Sequence, residues 1–307
     1  MFAERYTLQP WRFGGRRSGG RGFTLVELLV VLAIVSLLIS MLMPSLGGAR
    51  EAARNVVCQT RLKQLVVAWT MYAGEHRDYA MPMSVRAQSG VPERFWWGGV
   101  GTRYQQPDFS LGLLAPYFDA GLAERSAFEC PSQAWGTYDP QGNSRHPEAP
   151  PPTPTSTYGY NGYFLAPAAT PGWQVTIGRQ RWQRLHTLTS PSALYVFGDA
   201  MLGSVSETAR PMNNALLDPP LLWTGWGQGP NFWMRNSYPT TSFRHFRQNR
   251  GAGSTNTARA DSSVHLTQGR VEWFTQPHQH IGSIGTYDSP EVLANDPGYV
   301  PNWREWR

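Results

Sequence analysis

The sequence predicts an α+β fold: a long amino-terminal α-helix, transmembrane and then amphipathic, packed on an antiparallel β-sheet with long loops. Three observations carry this expectation. From Phe23 to Met43, seventeen of twenty-one residues are apolar, and no charge occurs between Leu28 and Ala49. From Arg50 to Arg77 the apolar residues recur at helical spacing. In the second half, short alternating or β-branched and aromatic runs are separated by glycine and proline, as strands are.

The apolar run is long enough to cross a bilayer core of about 30 Å at about 1.5 Å per residue. Glu27 is the exception within it. A carboxylate there costs a few kcal/mol unless it is paired, so an intramembrane acid reads as functional. Gly22 lies immediately before the run and gives a cleaving enzyme close access to the backbone. After the run come Pro44 and Gly47-Gly48, where a missing backbone donor and two poor helix formers predict a kink or melting point at Pro44. Beyond it, Cys58, Leu62, Leu65, Trp69 and Tyr72 step by four, three, four and three, drawing one apolar stripe that faces a core.

Four segments follow from this reading: a basic leader at 1–22, a membrane helix at 23–43, its amphipathic continuation at 44–78, and a globular domain at 79–307. One short helix is expected near Leu111–Phe118. The stretch 139–157 holds six prolines and reads as a surface insertion without regular structure. Strands are expected at Tyr158–Leu165, Trp182–Leu188, Ser192–Gly198 and Arg270–Phe274. A hairpin is expected to turn at Asp261-Ser262-Ser263 between Thr257–Ala260 and Val264–Thr267.

The formal charge of +6 suggests nucleic acid until its location is considered. Residues 1–22 hold five arginines against one glutamate, leaving 22 basic and 20 acidic side chains in the rest. The basicity is therefore a topology signal that holds the amino terminus in the cytoplasm, and nucleic acid is not an expected partner.

Gly22-Phe23-Thr24-Leu25-Val26-Glu27, joined to a membrane helix, resembles the amino-terminal signature of type IV pilins and type II secretion pseudopilins, G-F-T-L-[VI]-E. The resemblance implies a pilin-like fold and cleavage between Gly22 and Phe23 by a prepilin peptidase, followed by methylation of the Phe23 amine. It implies that Glu27 pairs with the new terminal amine of a neighbouring subunit during assembly, and that Pro44 marks a helix kink that loosens in packed filaments. The implied partners are the peptidase, other pilin or pseudopilin subunits, the secretion or pilus assembly machinery, and membrane lipid. The implied location is a single-pass inner-membrane anchor with the carboxyl-terminal domain in the periplasm or outside the cell.

A narrower resemblance extends this. Cys58-Gln59-Thr60-Arg61-Leu62-Lys63-Gln64-Leu65 is similar to the C-x₂-N-L-K-Q-[IL] of a large pseudopilin-like group, with Arg61 in place of asparagine. Phe128-Glu129-Cys130-Pro131-Ser132 is similar to that group's F-x-C-P-S loop. Arg244-His245, Gly253, Asn256, Asp261 and His265 fit the skeleton of its carboxyl-terminal motif, with Ser262 in place of glycine. In an oxidising compartment the two cysteines allow one intramolecular bridge, Cys58 to Cys130, which would staple loop to helix; two buried free thiols are the alternative.

Signs of catalysis are thin. There is no G-x-S-x-G, H-E-x-x-H, P-loop or C-x-x-C. His245, Asp261 and His265 are candidate metal ligands or an acid–base set, but Asp261 reads better as a turn former and the histidines as partners of nearby backbone. His278 and His280 form a weaker pair, and Asp199 is a strand-end carboxylate whose partner the sequence does not place. The expectation is a structural subunit that is not an enzyme, with no metal or cofactor. The alternative is an anchored surface module whose aromatic loops, rich in Trp223, Trp226 and Trp233, capture polysaccharide or DNA. Packing is the commoner use of such residues.

Overall fold

The computed structural model describes residues 23–86, 93–100, 108–118, 128–133, 137, 156–170, 177–203, 210–223, 232–247, 253–285, 298–301 and 305–306. The chain divides into two units, Met1–Ala49 and Arg50–Arg307. The described part of the first is the start of helix α1 (Leu25–Glu75), whose remainder belongs to the second. The backbone at Pro44, Gly47 and Gly48 is helical in this single chain.

In the second unit α1 is followed by a small antiparallel sheet of β1 (Ser84–Val85), β2 (Glu93–Phe95) and β3 (Gly99–Val100). Next come β4 (Tyr158–Tyr160), the four-residue helix α2 (Gly162–Leu165) and β5 (Tyr195–Asp199). Two ribbons follow, β6 (Met201–Leu202) with β7 (Met212–Asn213), and β8 (Leu221–Trp223) with β9 (Trp233–Arg235). The chain continues through β10 (Thr241–Ser242), the hairpin of β11 (Ser254–Arg259) and β12 (Val264–Gln268), then β13 (Phe274–Gln276) and β14 (Ile281–Gly282). The central sheet is antiparallel, in the order β12-β11-β5-β4, with Thr257 opposite Gly198 and Tyr158 opposite Asp199.

From Arg50 onward, α1 docks on this sheet through the stripe read from the sequence. Cys58, Leu62, Leu65, Trp69 and Tyr72 are all buried, among Tyr158, Tyr160, Val196 and Phe197. Trp69 Nε1 donates to Tyr160 Oη at 3.2 Å, and that hydroxyl donates to the Met81 carbonyl at 2.7 Å. Beside this apolar contact runs a polar seam: Asn256 Nδ2 donates to Asn55 Oδ1 (2.8 Å) and Gln59 Nε2 donates to Asn256 Oδ1 (3.1 Å).

The α+β class and the β11–β12 hairpin are as expected, whereas several local expectations are corrected. The first strand stops at Tyr160, because Asn161 Oδ1 accepts from Phe164 N and starts α2. Trp182–Leu188 is not a strand; it holds one bridge at Arg184 and a 3₁₀ turn at Leu185–Thr187. Trp182, Leu185 and Leu188, three residues apart, all pack on the core, which suits three residues per turn. Val271–Trp273 is likewise a 3₁₀ turn, and the strand begins at Phe274. The helix expected at Leu111–Phe118 is two 3₁₀ turns, Phe109–Leu111 and Ala115–Tyr117, separated at Gly112. Of the proline-rich stretch 139–157, only Ser156 and Thr157 fall within the described residues.

Candidate functional site

Two places concentrate the chemistry. At the start of α1, Thr24 Oγ1 accepts from Glu27 N at 3.2 Å, and Glu27 Oε2 accepts from Thr24 N and Oγ1 at 2.8 and 2.9 Å. This is the reciprocal capping of a Ser/Thr-x-x-Glu/Gln box. The Glu27 carboxylate therefore lies against the residue that follows Phe23. Gly22 and the leader fall outside the described residues. Leu25–Met43, 19 residues, is long and apolar enough to cross a membrane, and none of it is buried by the chain itself. Ser36 and Ser40 donate to the carbonyls of Ala33 and Leu37, so their hydroxyls leave no unmatched donor for lipid.

The second place is a buried centre where the helix, a loop and the central sheet meet. Cys58 from α1, Cys130 from the 128–133 loop, Asp199 from the end of β5 and His245 from the β10–β11 connection bring one donor atom each within 4.8 Å of one another. Cys58 Sγ donates to Asp199 Oδ1 at 3.4 Å. Cys130 Sγ lies 3.4 Å from His245 Nε2, which is 3.3 Å from Asp199 Oδ2.

Each member is held in place from several sides. Tyr158 Oη donates to Cys58 Sγ at 3.4 Å, and Asn256 N donates to Asp199 Oδ2 at 2.8 Å. Cys130 N donates to Thr157 Oγ1 at 2.7 Å, and Arg61 donates to the Glu129 carbonyl, which tethers the loop to α1. A two-way backbone bridge joins His245 to Ser254. It passes Gly253, where a Cβ would lie 2.0 Å from the Phe243 carbonyl oxygen. Only glycine fits there. The other ring nitrogen, His245 Nδ1, lies 3.2 Å from Ser132 Oγ and 3.4 Å from Glu51 Oε1, and Ser132 donates to Glu51 at 2.8 Å.

Charge is balanced inside the centre. The Arg244 guanidinium is fully buried, 3.8 Å from Asp199, and donates to the carbonyls of Thr157 and Ala200. Burial opposes the Asp199 charge, but His245 and Arg244 outweigh it and hold the carboxyl below its usual range. Burial also opposes a charge on His245, yet Asp199 and Cys130 raise it to about 10. Cys130 is brought down to about 6: burial resists this, but hydrogen bonds with Cys58 and His245 and the charge of Arg244 prevail. Burial pushes the Cys58 thiol well up.

The cysteines paired in the sequence reading are thus neighbours, and both are free thiols in the structure. His245 is not grouped with Asp261 and His265. Asp261 Oδ1 accepts from Ser263 N (2.9 Å) and Ser263 Oγ (2.6 Å), closing the exposed β11–β12 turn, and His265 Nε2 meets that same hydroxyl at 3.0 Å. Asp261→Asn keeps an acceptor for Ser263, so its expected effect on unfolding stability is within about 0.5 kcal/mol, measured by denaturant titration. Glu51, Ser132 and Arg244 were not singled out from the sequence as parts of a centre. Ser132 and Arg244 entered only as members of the F-x-C-P-S and Arg-His resemblances, and Glu51 left no signal. Trp223 packs edge-on against Trp233, and Trp233 against Trp306, so these rings pack one another; Trp226 lies outside the described residues.

Residues 17–43 match the family model described as the prokaryotic N-terminal methylation motif. Residues 48–181 match a family described as a protein of unknown function, DUF1559. The type IV wide pilus major component PilA4 of Thermus thermophilus is 39% identical over 71 residues, 23% of this chain and 54% of that relative. The amino-terminal part of the chain is similar to a type IV pilin. The chain spans about half the length of the curated relative it matches. No solved structure matches it. The matched segments take in Phe23, Glu27, Cys58 and Cys130, while Asp199 and His245 lie beyond them.

Proposed function

We propose that the pilin-like chain is a membrane-anchored, non-catalytic subunit of a type IV pilus-like or type II secretion filament. In this reading a prepilin peptidase cuts between Gly22 and Phe23 on the cytoplasmic side of the inner membrane, and the Phe23 amine is methylated. The Leu25–Met43 helix stays in lipid until the assembly machinery transfers it to a bundle of like helices. The domain from Arg50 onward faces the periplasm or the exterior.

The observation that carries this reading is Glu27 at the head of a wholly exposed apolar helix, within the segment that matches the methylation motif. An exposed apolar surface of this size needs lipid or a partner to cover it. An acid in that surface needs a positive partner, and the amine freed at Phe23 by cleavage is one. Gly22→Val blocks close approach to the scissile bond. The variant is expected to keep its arginine-rich leader, read as the intact mass of the membrane-extracted protein. A Gly22→Val chain trimmed to Phe23 as in the wild type would contradict the assignment of Gly22.

A further inference from the structure

We propose that Cys58, Cys130, Asp199 and His245 form a structural zinc site that ties the 128–133 loop and the central sheet to α1. The inference is independent of the filament reading. Zinc prefers four tetrahedral donors drawn from thiolate, imidazole and carboxylate, and a structural site is closed to solvent. The four residues supply such a set, and all four are buried. With Zn–S of about 2.3 Å and Zn–N or Zn–O of about 2.0–2.1 Å, tetrahedral donors stand about 3.3–3.8 Å apart. Three separations fall in or at that range: 3.4 Å from Cys58 Sγ to Asp199 Oδ1, 3.4 Å from Cys130 Sγ to His245 Nε2, and 3.3 Å from His245 Nε2 to Asp199 Oδ2. One donor atom of each residue lies within 4.8 Å of the others, so binding draws the set together around one Asp199 oxygen.

The surroundings fit as well. Metal-binding imidazoles donate their far N–H to a carboxylate or another acceptor, which turns the near nitrogen to the ion. Glu51 and Ser132 lie on the Nδ1 side of His245, while Nε2 faces Cys130 and Asp199. Two thiolates and one carboxylate around a dication leave one net negative charge, and buried Arg244 supplies the opposite one. Its Nε and Nη1 have no hydrogen-bond partner among the described residues, and Nε lies 3.8 Å from Asp199, so its positive charge is directed at the centre. Two sulfur donors argue against magnesium and calcium, which take oxygen. A Cys58 to Cys130 bridge would use the sulfurs alone and leave Asp199 and His245 paired with each other.

The test uses the full chain, extracted in detergent without chelator or added reductant. Elemental analysis should give about one zinc per chain, and both cysteines should resist thiol labelling until a strong chelator removes the metal. Cobalt added to the stripped protein should produce thiolate-to-cobalt charge-transfer absorption. Cys130→Ser should lower the zinc content of the isolated protein at least about tenfold, whereas Asp261→Asn should leave it unchanged. Wild-type protein without zinc overturns the proposal, whether its unfolded chain shows two free thiols or none. So does a cobalt spectrum without thiolate charge transfer. Because the wild-type measurement needs no substitution, a variant that fails to fold does not shield the proposal.

Discussion

Glu27→Gln is expected to yield a chain that is cut and inserted as in the wild type yet fails to co-purify with tagged subunits. The substitution separates two roles for one side chain. In the single chain Glu27 closes a capping box with Thr24. Glutamine serves in that box as well as glutamate does, so helix α1 keeps its cap. What glutamine lacks is the charge that would meet the amine of a neighbouring Phe23. Removing one partner of a buried ion pair leaves the other uncompensated and costs about 3–5 kcal/mol. At about 1.4 kcal/mol per decade, that weakens each subunit contact by two to nearly four orders of magnitude. Insertion itself should become easier, because no acid enters the lipid. Wild-type recovery of untagged partner would remove the pairing mechanism and leave the anchor intact.

Trp69→Ala should be the most destabilising single change along the docking stripe, by about 3–5 kcal/mol. Trp69 is fully buried between α1 and the sheet, and its Nε1–H holds the Tyr160 hydroxyl that in turn holds Met81. Truncation removes the largest side chain of the stripe and unties that relay. Trp69→Phe keeps most of the volume and should cost less, about 1–3 kcal/mol for the orphaned hydrogen bond. Denaturant unfolding followed by circular dichroism checks both. A loss under about 1 kcal/mol for the alanine variant would mean that α1 does not dock through this face.

How much of this was legible in the sequence depends on the range of the interaction. The α1 stripe was, because helical periodicity is local: every fourth or third residue from Cys58 to Tyr72 is buried, while Arg54, Gln64 and Glu75 are exposed. The β11–β12 hairpin was legible for the same reason, with Asp261 marking the turn. Trp182–Leu188 misled because three apolar residues at spacing three were read by type, as strand formers, when their period pointed to a 3₁₀ turn. The buried centre was visible only in pieces. Asp199 was noticed without a partner and His245 with the wrong ones, since its companions come from positions 58, 130 and 199. Contacts between residues so far apart leave no period in the chain. The Arg244-His245 and Cys130-Pro131-Ser132 groupings were the traces they left.

The central claim is that the mature protein starts at a processed Phe23. Top-down mass spectrometry of the wild-type chain, extracted from membranes of a host with its own prepilin peptidase, tests it most directly. The account predicts one species that lacks residues 1–22 and carries a single added methyl group on the Phe23 amine. A chain that retains Met1 and its leader under those conditions would contradict it.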